Sequence, residues 1–149
     1  MSAAELRLSY RPDDEWHGEL SAVVKSGAFS GEGSAWFGRQ RLEAFVPALH
    51  AFPLSAGNPP MIEGGYWRND TTLEQCHLRI AVRPYDTRGS LLVQVDLASP
   101  SQTTADEDRQ QLVTVRFLTE YAALATFASS LERLLEGKSS SAVLSGTAE

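Results

Sequence analysis

The chain has 149 residues, 42% hydrophobic and 21% charged, which suits one packed domain and excludes collagen-like or wholly disordered chains. Its 13 Lys and Arg against 19 Asp and Glu leave a net charge of -6, which repels a phosphate backbone, so nucleic acid is not an expected partner. The single cysteine, Cys76, closes no disulfide within the chain and builds no thiolate zinc site.

Residues Met1 to Arg7 lack the basic start and apolar run of an export signal, and no later stretch approaches the roughly 20 apolar residues of a bilayer span. The expectation is a cytoplasmic protein without a membrane anchor. Leu6, Leu8 and Tyr10 alternate with polar neighbours, as do Leu20, Ala22 and Val24, predicting two strands joined by the turn residues Pro12 to Gly18. The carboxylates Asp13, Asp14 and Glu15 are consecutive, which suits a solvated turn better than the alternating oxygens of a calcium site.

From Ser34 to Phe52, Leu42, Phe45, Val46, Leu49 and Phe52 recur at helical spacing, predicting an amphipathic helix with Ser34 as N-cap and a kink, or a division into two shorter helices, at Pro47. Leu54 to Pro60 has loop composition. Met61, Ile62, Tyr66 and Trp67 suggest a short strand, interrupted by Gly64-Gly65 and followed by a turn at Asn69-Asp70. Cys76, Leu78, Ile80 and Val82 form one inward row, and Leu91, Val93, Val95 and Leu97 the next. With Arg83 facing Ser90, His77 falls opposite Asp96 and Arg79 opposite Gln94.

Ser99 to Gln110 is polar, with Asp106 and Asp108 in a solvated loop, and Val113, Val115 and Phe117 make the last expected strand. Tyr121, Leu124, Ala125, Ala128, Leu131 and Leu135 share a stripe, widened by Phe127 and Leu134, that predicts a core helix stopped at Gly137. Residues 138–149, rich in Ser, Gly and Ala, then suggest a flexible tail after a single domain over 1–137. The fold class is α+β: an antiparallel sheet of about six strands with two helices on one face, in the order β-β-α-β-β-β-β-α.

No reaction constellation emerges from these elements. His17, His50 and His77 have no second histidine at ligand spacing, and strand geometry sends adjacent Cys76 and His77 to opposite faces. Gly31-Glu32-Gly33 lacks the third glycine of a dinucleotide loop, since Trp36 stands there; it suits a flexible helix entry. No catalytic residue, cofactor or metal is expected. Trp16, Trp36 and Trp67, with Tyr66, are the large side chains suited to an interface.

The pattern resembles the bacterial immunity proteins of WapI type and related small domains, over about Leu6 to Glu136. The resemblance lies in Phe29-Ser30-Gly31 before Trp36-Phe37, in Leu42, Phe45 and Leu49, in Leu91, Val93 and Val95 after Gly89, and in Phe117 leading into Tyr121, Leu124, Phe127 and Leu131. It implies a non-catalytic cytosolic antidote that binds one cognate toxin encoded nearby. Contact residues expected for such a protein partner are Asp13, Asp14, Glu15, Trp16, Trp67, Asp70, Asp106 and Asp108. The alternative is a small apolar-ligand carrier of helix-grip type, its cavity lined by Trp36, Phe45, Tyr121 and Phe127; a homodimer is compatible with either.

Overall fold

The computed structural model describes residues 2–101 and 108–148. In chain order the elements are β1 (Ala3–Pro12), β2 (His17–Ser26), β3 (Phe29–Gly38), α1 (Arg39–His50), β4 (Met61–Trp67), β5 (Leu73–Pro84), β6 (Ser90–Ala98), β7 (Leu112–Glu120), α2 (Tyr121–Leu135) and β8 (Ala142–Thr147). They form one antiparallel sheet of eight strands in the order β3-β2-β1-β8-β7-β6-β5-β4, with two helices. The α+β class and the antiparallel sheet hold; the expected six strands and their order do not.

Two segments account for the extra strands. Ser34 to Gly38, expected to open the first helix, instead complete β3, whose partner β2 is reached through the two-residue turn Gly27-Ala28. Ala35 and Phe37 point inward from β3 with period two, and α1 begins only at Arg39. The expected C-terminal tail supplies β8, a central strand. It pairs with β1 from Ala3↔Thr147 to Leu8↔Ala142 and buries Ala142 and Leu144. The small and polar residues that resemble a tail suit a short strand whose neighbours provide most of the apolar contact.

The sheet consists of two four-stranded halves, joined between β7 and β8 at the single register pair Leu118↔Thr147. Gly146 makes this seam possible, because a Cβ there would stand 2.2 Å from the Leu118 carbonyl oxygen. Beyond the seam the halves fold face to face. β3 crosses the inner face of the second half, touching β7, β6, β5 and β4. At Gly31 the crossing is tight enough that a Cβ would meet Val113 Cγ1 at 2.4 Å.

The helices close the remaining opening. α2 packs on β8, β1 and β7, and α1 packs on α2. Leu124, Phe127, Ala128 and Leu131 of α2 are fully buried. Its end is a Schellman arrangement: the Lys138 N–H donates to the Arg133 oxygen at 2.9 Å and the Gly137 N–H to the Leu134 oxygen at 3.1 Å, with Gly137 at φ 76°. α1 runs through Pro47 without the expected break, and Pro47 and Glu43 both lie on its exposed side, where the carbonyl left without a donor is not buried against the core. Leu42, Phe45, Val46 and Leu49 form its buried stripe.

Between β5 and β6 the register differs from the expected one by two residues. Arg79 faces Asp96, Ala81 faces Gln94 and Arg83 faces Leu92. The turn decides this: the Tyr85 N–H donates to the Ser90 oxygen at 2.9 Å, and Asp86 Oδ1 accepts from the N–H groups of Arg88 and Ser90. A shift of two preserves which face each side chain takes, so both inward rows still meet.

Deleting residues 138–149 is expected to abolish the cooperative unfolding transition, whereas loss of a mere tail would leave it unchanged. Leu144→Ala is expected to cost about 2–5 kcal/mol, as for other buried leucines, and chemical denaturation measures both outcomes.

Candidate protein-interaction surface

Two turns connect to the start of α1, and they carry most of the expected contact residues. In the first, Asp14 Oδ1 accepts hydrogen bonds from the N–H groups of Trp16 and His17, both at 2.7 Å. The N–H groups of Asp13 and Asp14 donate to the His17 oxygen, closing the turn from the other side. These donors, Trp16 first and His17 second, hold the Asp14 carboxyl below the usual carboxylate range. The Arg39 N–H then donates to the Trp16 oxygen at 2.7 Å, docking the turn on α1.

Trp16 stands 63% exposed on this tied mount, beside the exposed carboxylates Asp13, Asp14 and Glu15. Beneath the turn the Tyr10 ring packs against Gly18, and its buried hydroxyl has no partner among the described residues. Burial, the largest influence there, pushes the Tyr10 hydroxyl up.

Also at the helix start, the Arg41 guanidinium lies 4.5 Å over the Trp67 ring at the end of β4. Trp67 is half-buried, and the turn that follows is ordered by Asn69 Oδ1, which accepts from the N–H groups of Thr71 and Thr72. Asp70 is exposed within that turn. The turn of Asp13, Asp14, Glu15 and Trp16 thus reaches the α1 start through Arg39, and Trp67, two residues before the turn that carries Asp70, through Arg41. Neither arginine is singled out by the sequence; Arg39 pairs with Glu43 at 3.3 Å. The missed signal was the helix start: beginning α1 at Ser34 places both arginines in a helix interior. Asp108 is exposed at the far end of the β6–β7 connection, and Asp106 lies outside the described residues.

The Cys76 and His77 expectations are reversed by a bulge. The pairing shifts between Gly64 and Gly65, so that Gly64 faces Leu78 while Gly65 faces Cys76, and His77 is the extra residue. His77 is consequently buried, 4% exposed, with its Nε2 at 2.5 Å from Gln75 Oε1 and its ring 4.5 Å from Tyr66. Burial holds its imidazole below the ordinary range. Cys76 moves to the half-exposed side near Arg79, and burial, the largest influence, pushes its thiol up, away from the reactive thiolate.

The position expected for His77 opposite Asp96 belongs to Arg79, which donates twice to Glu63 Oε1, at 2.9 and 2.8 Å, and stands 3.7 Å from Asp96. Thr114 Oγ1 donates to Asp96 at 2.6 Å, and Arg116 donates to Gln94 at 3.2 Å. This outer face is therefore an internally satisfied polar network. His17 and His50 are exposed, and the described residues contain no group of three or more His, Cys, Asp or Glu able to hold a metal ion.

Of the lining expected for a helix-grip carrier, Phe45 and Phe127 share the packed core with Tyr121 against it, and Trp36 lies apart. Phe127 is 0% exposed and Phe45 3%, so no water-sized space adjoins Phe127, whereas Trp36 projects 49% exposed from the outer face of β3. Tyr121 is partly buried and spends its hydroxyl on the Leu54 N–H at 3.1 Å.

A buried imidazole of lowered pKa binds its proton less readily in the native than in the unfolded chain. Its contribution is complete above the ordinary value of 6.5 and is lost as pH falls below it. Denaturation midpoints between about pH 7 and pH 5 are expected to fall more steeply for the wild type than for His77→Gln, which has no such proton to bind. Comparison with family models, with curated proteins and with solved structures finds no match for this chain.

Proposed function

We propose that this protein is a non-catalytic protein-binding module, and specifically an immunity-type antidote that occludes one cognate bacterial toxin. The observation that carries the reading is Trp16: a large amphipathic ring, 63% exposed, on a turn whose backbone is tied by Asp14 and docked on α1. A preorganised aromatic anchor loses little entropy on binding, and tryptophan is enriched among residues that dominate interface energies. Trp67, held by Arg41, provides a second ring on the same part of the molecule.

The acidic residues around Trp16 suit a basic partner surface. Asp13, Asp14 and Glu15 are exposed, and the whole chain carries a net charge of -6, so long-range attraction would speed encounter with a cationic protein. The reading needs no reaction centre, in keeping with a thiol whose pKa burial raises and a histidine whose ring is engaged by Gln75 and Tyr66.

The test is binding and neutralisation of the toxin-like protein encoded beside this one. A purified complex with suppressed toxicity is expected. Trp16→Ala should weaken it by about 30-fold or more, the usual scale for a central aromatic anchor. Reversing Asp13 and Glu15 to lysine should slow association chiefly at low salt. Absence of a complex, or a Trp16→Ala variant that neutralises as well as the wild type, overturns the reading.

A further inference from the structure

We infer that the free edge of β3 is a second docking site, separate from the Trp16 surface, that takes an extended basic segment of another protein by strand addition. Among the described residues β3 pairs on one side only, with β2. The two-residue turn Gly27-Ala28 makes Ser26 and Phe29 a hydrogen-bonded pair, and antiparallel alternation makes Gly31, Gly33, Ala35 and Phe37 the residues bonded to β2. The N–H and C=O groups of Ser30, Glu32, Ser34 and Trp36 therefore point away from the sheet. Edges of this length are ordinarily blunted by charged side chains, proline or a bulge. β3 has no proline and no bulge over its ten residues and carries a single charge, Glu32.

Alongside this edge runs a groove of about 440 Å³. One wall is Ser30 to Ser34, and the rest is formed by Leu97 to Pro100 and Gln111 to Val113. No β2 residue lines it, which places it on the unpaired side of β3. A strand added there would rest alternate side chains on Leu97, Ala98 and Val113 and turn the others outward beside Glu32 and Trp36.

A second copy of this chain does not fit. Its own β3 has its inner face already packed on its own Val113 and Leu97, and its β4 has Gly64 covered by Phe37, so neither edge strand has a face left for the groove floor. Charge indicates what does fit. Glu32 is exposed at the middle of the edge and has no ion pair among the described residues. An incoming lysine or arginine opposite it would pair with the carboxylate.

The probe is the capped peptide Thr-Val-Thr-Val-Lys-Val-Thr-Val-Thr, titrated into the full chain while backbone amide resonances are followed. Saturable shifts at Ser30, Glu32, Ser34 and Trp36 are expected, with slowed hydrogen exchange at the same amides. Ser34→Pro removes an outward donor without touching the β2 ladder and should weaken binding at least tenfold. Glu32→Lys should do likewise and should restore binding to the peptide with glutamate in place of lysine, which decides the matter should the proline variant fail to fold. Trp16→Ala should leave peptide affinity unchanged, so this site and the toxin-facing surface can fail separately. No saturable shift of these four amides at millimolar peptide, or an affinity indifferent to the charge swap, overturns the proposal.

Discussion

The structure depends on the crossing of β3 over the inner face of the other half-sheet. An eight-stranded sheet with two unpaired edges would be left with a half-covered apolar face. Here the first half folds over the second, so that Gly31 lies against Val113, Gly33 against Leu97, and Phe37 against Gly64. Side chains are small where backbones approach and large where they diverge, which is how two twisted layers meet without voids. The seam at Gly146 permits the fold-over, and the two helices fill the end that the strands leave open.

Both exposed surfaces follow from that crossing. Because β3 ends over β4, the chain enters α1 beside the end of β4, and the helix start becomes a hub for the Trp16 turn and for Trp67. Because β3 is an edge strand lying across the ends of β6 and β7, its outward backbone groups face a groove instead of a fifth strand. The outer face of β4 to β7, by contrast, spends Glu63, Arg79, Asp96, Thr114 and Gln94 on one another. Exposed networks of this kind contribute modestly to stability and leave few groups for a partner.

The inward rows were legible wherever hydrophobic alternation was strict. Leu78, Ile80 and Val82 and the row from Leu91 to Leu97 are buried, and so is most of each helical stripe, although Phe52 and Ala125 are exposed and Tyr121 is only partly buried. Local chemistry misled where tertiary neighbours supplied what the segment lacked. Ser-Gly-Glu-Gly-Ser in β3 has no strand propensity of its own, and its glycines serve the crossing. Ala142 to Thr147 is too sparse in large side chains to resemble a strand, yet β1 and α2 bury it. The bulge at Gly64-Gly65 inverted Cys76 and His77, because a single extra residue reverses every side chain beyond it.

By itself the sequence determined the α+β class, the antiparallel pairing of neighbouring strands, the two helices and the inward rows, all of which arise from periodicities within short windows. It also marked Trp16 and Trp67 as rings suited to a surface, though not their common neighbour. Tertiary structure alone decided that the C-terminus is a central strand, that β3 folds across its own sheet, and that His77 is buried while Cys76 is not. The physical reason is range: propensity acts between residues a few positions apart, whereas these outcomes depend on backbones meeting from opposite ends of the chain, where a missing Cβ or one added residue outweighs local preference.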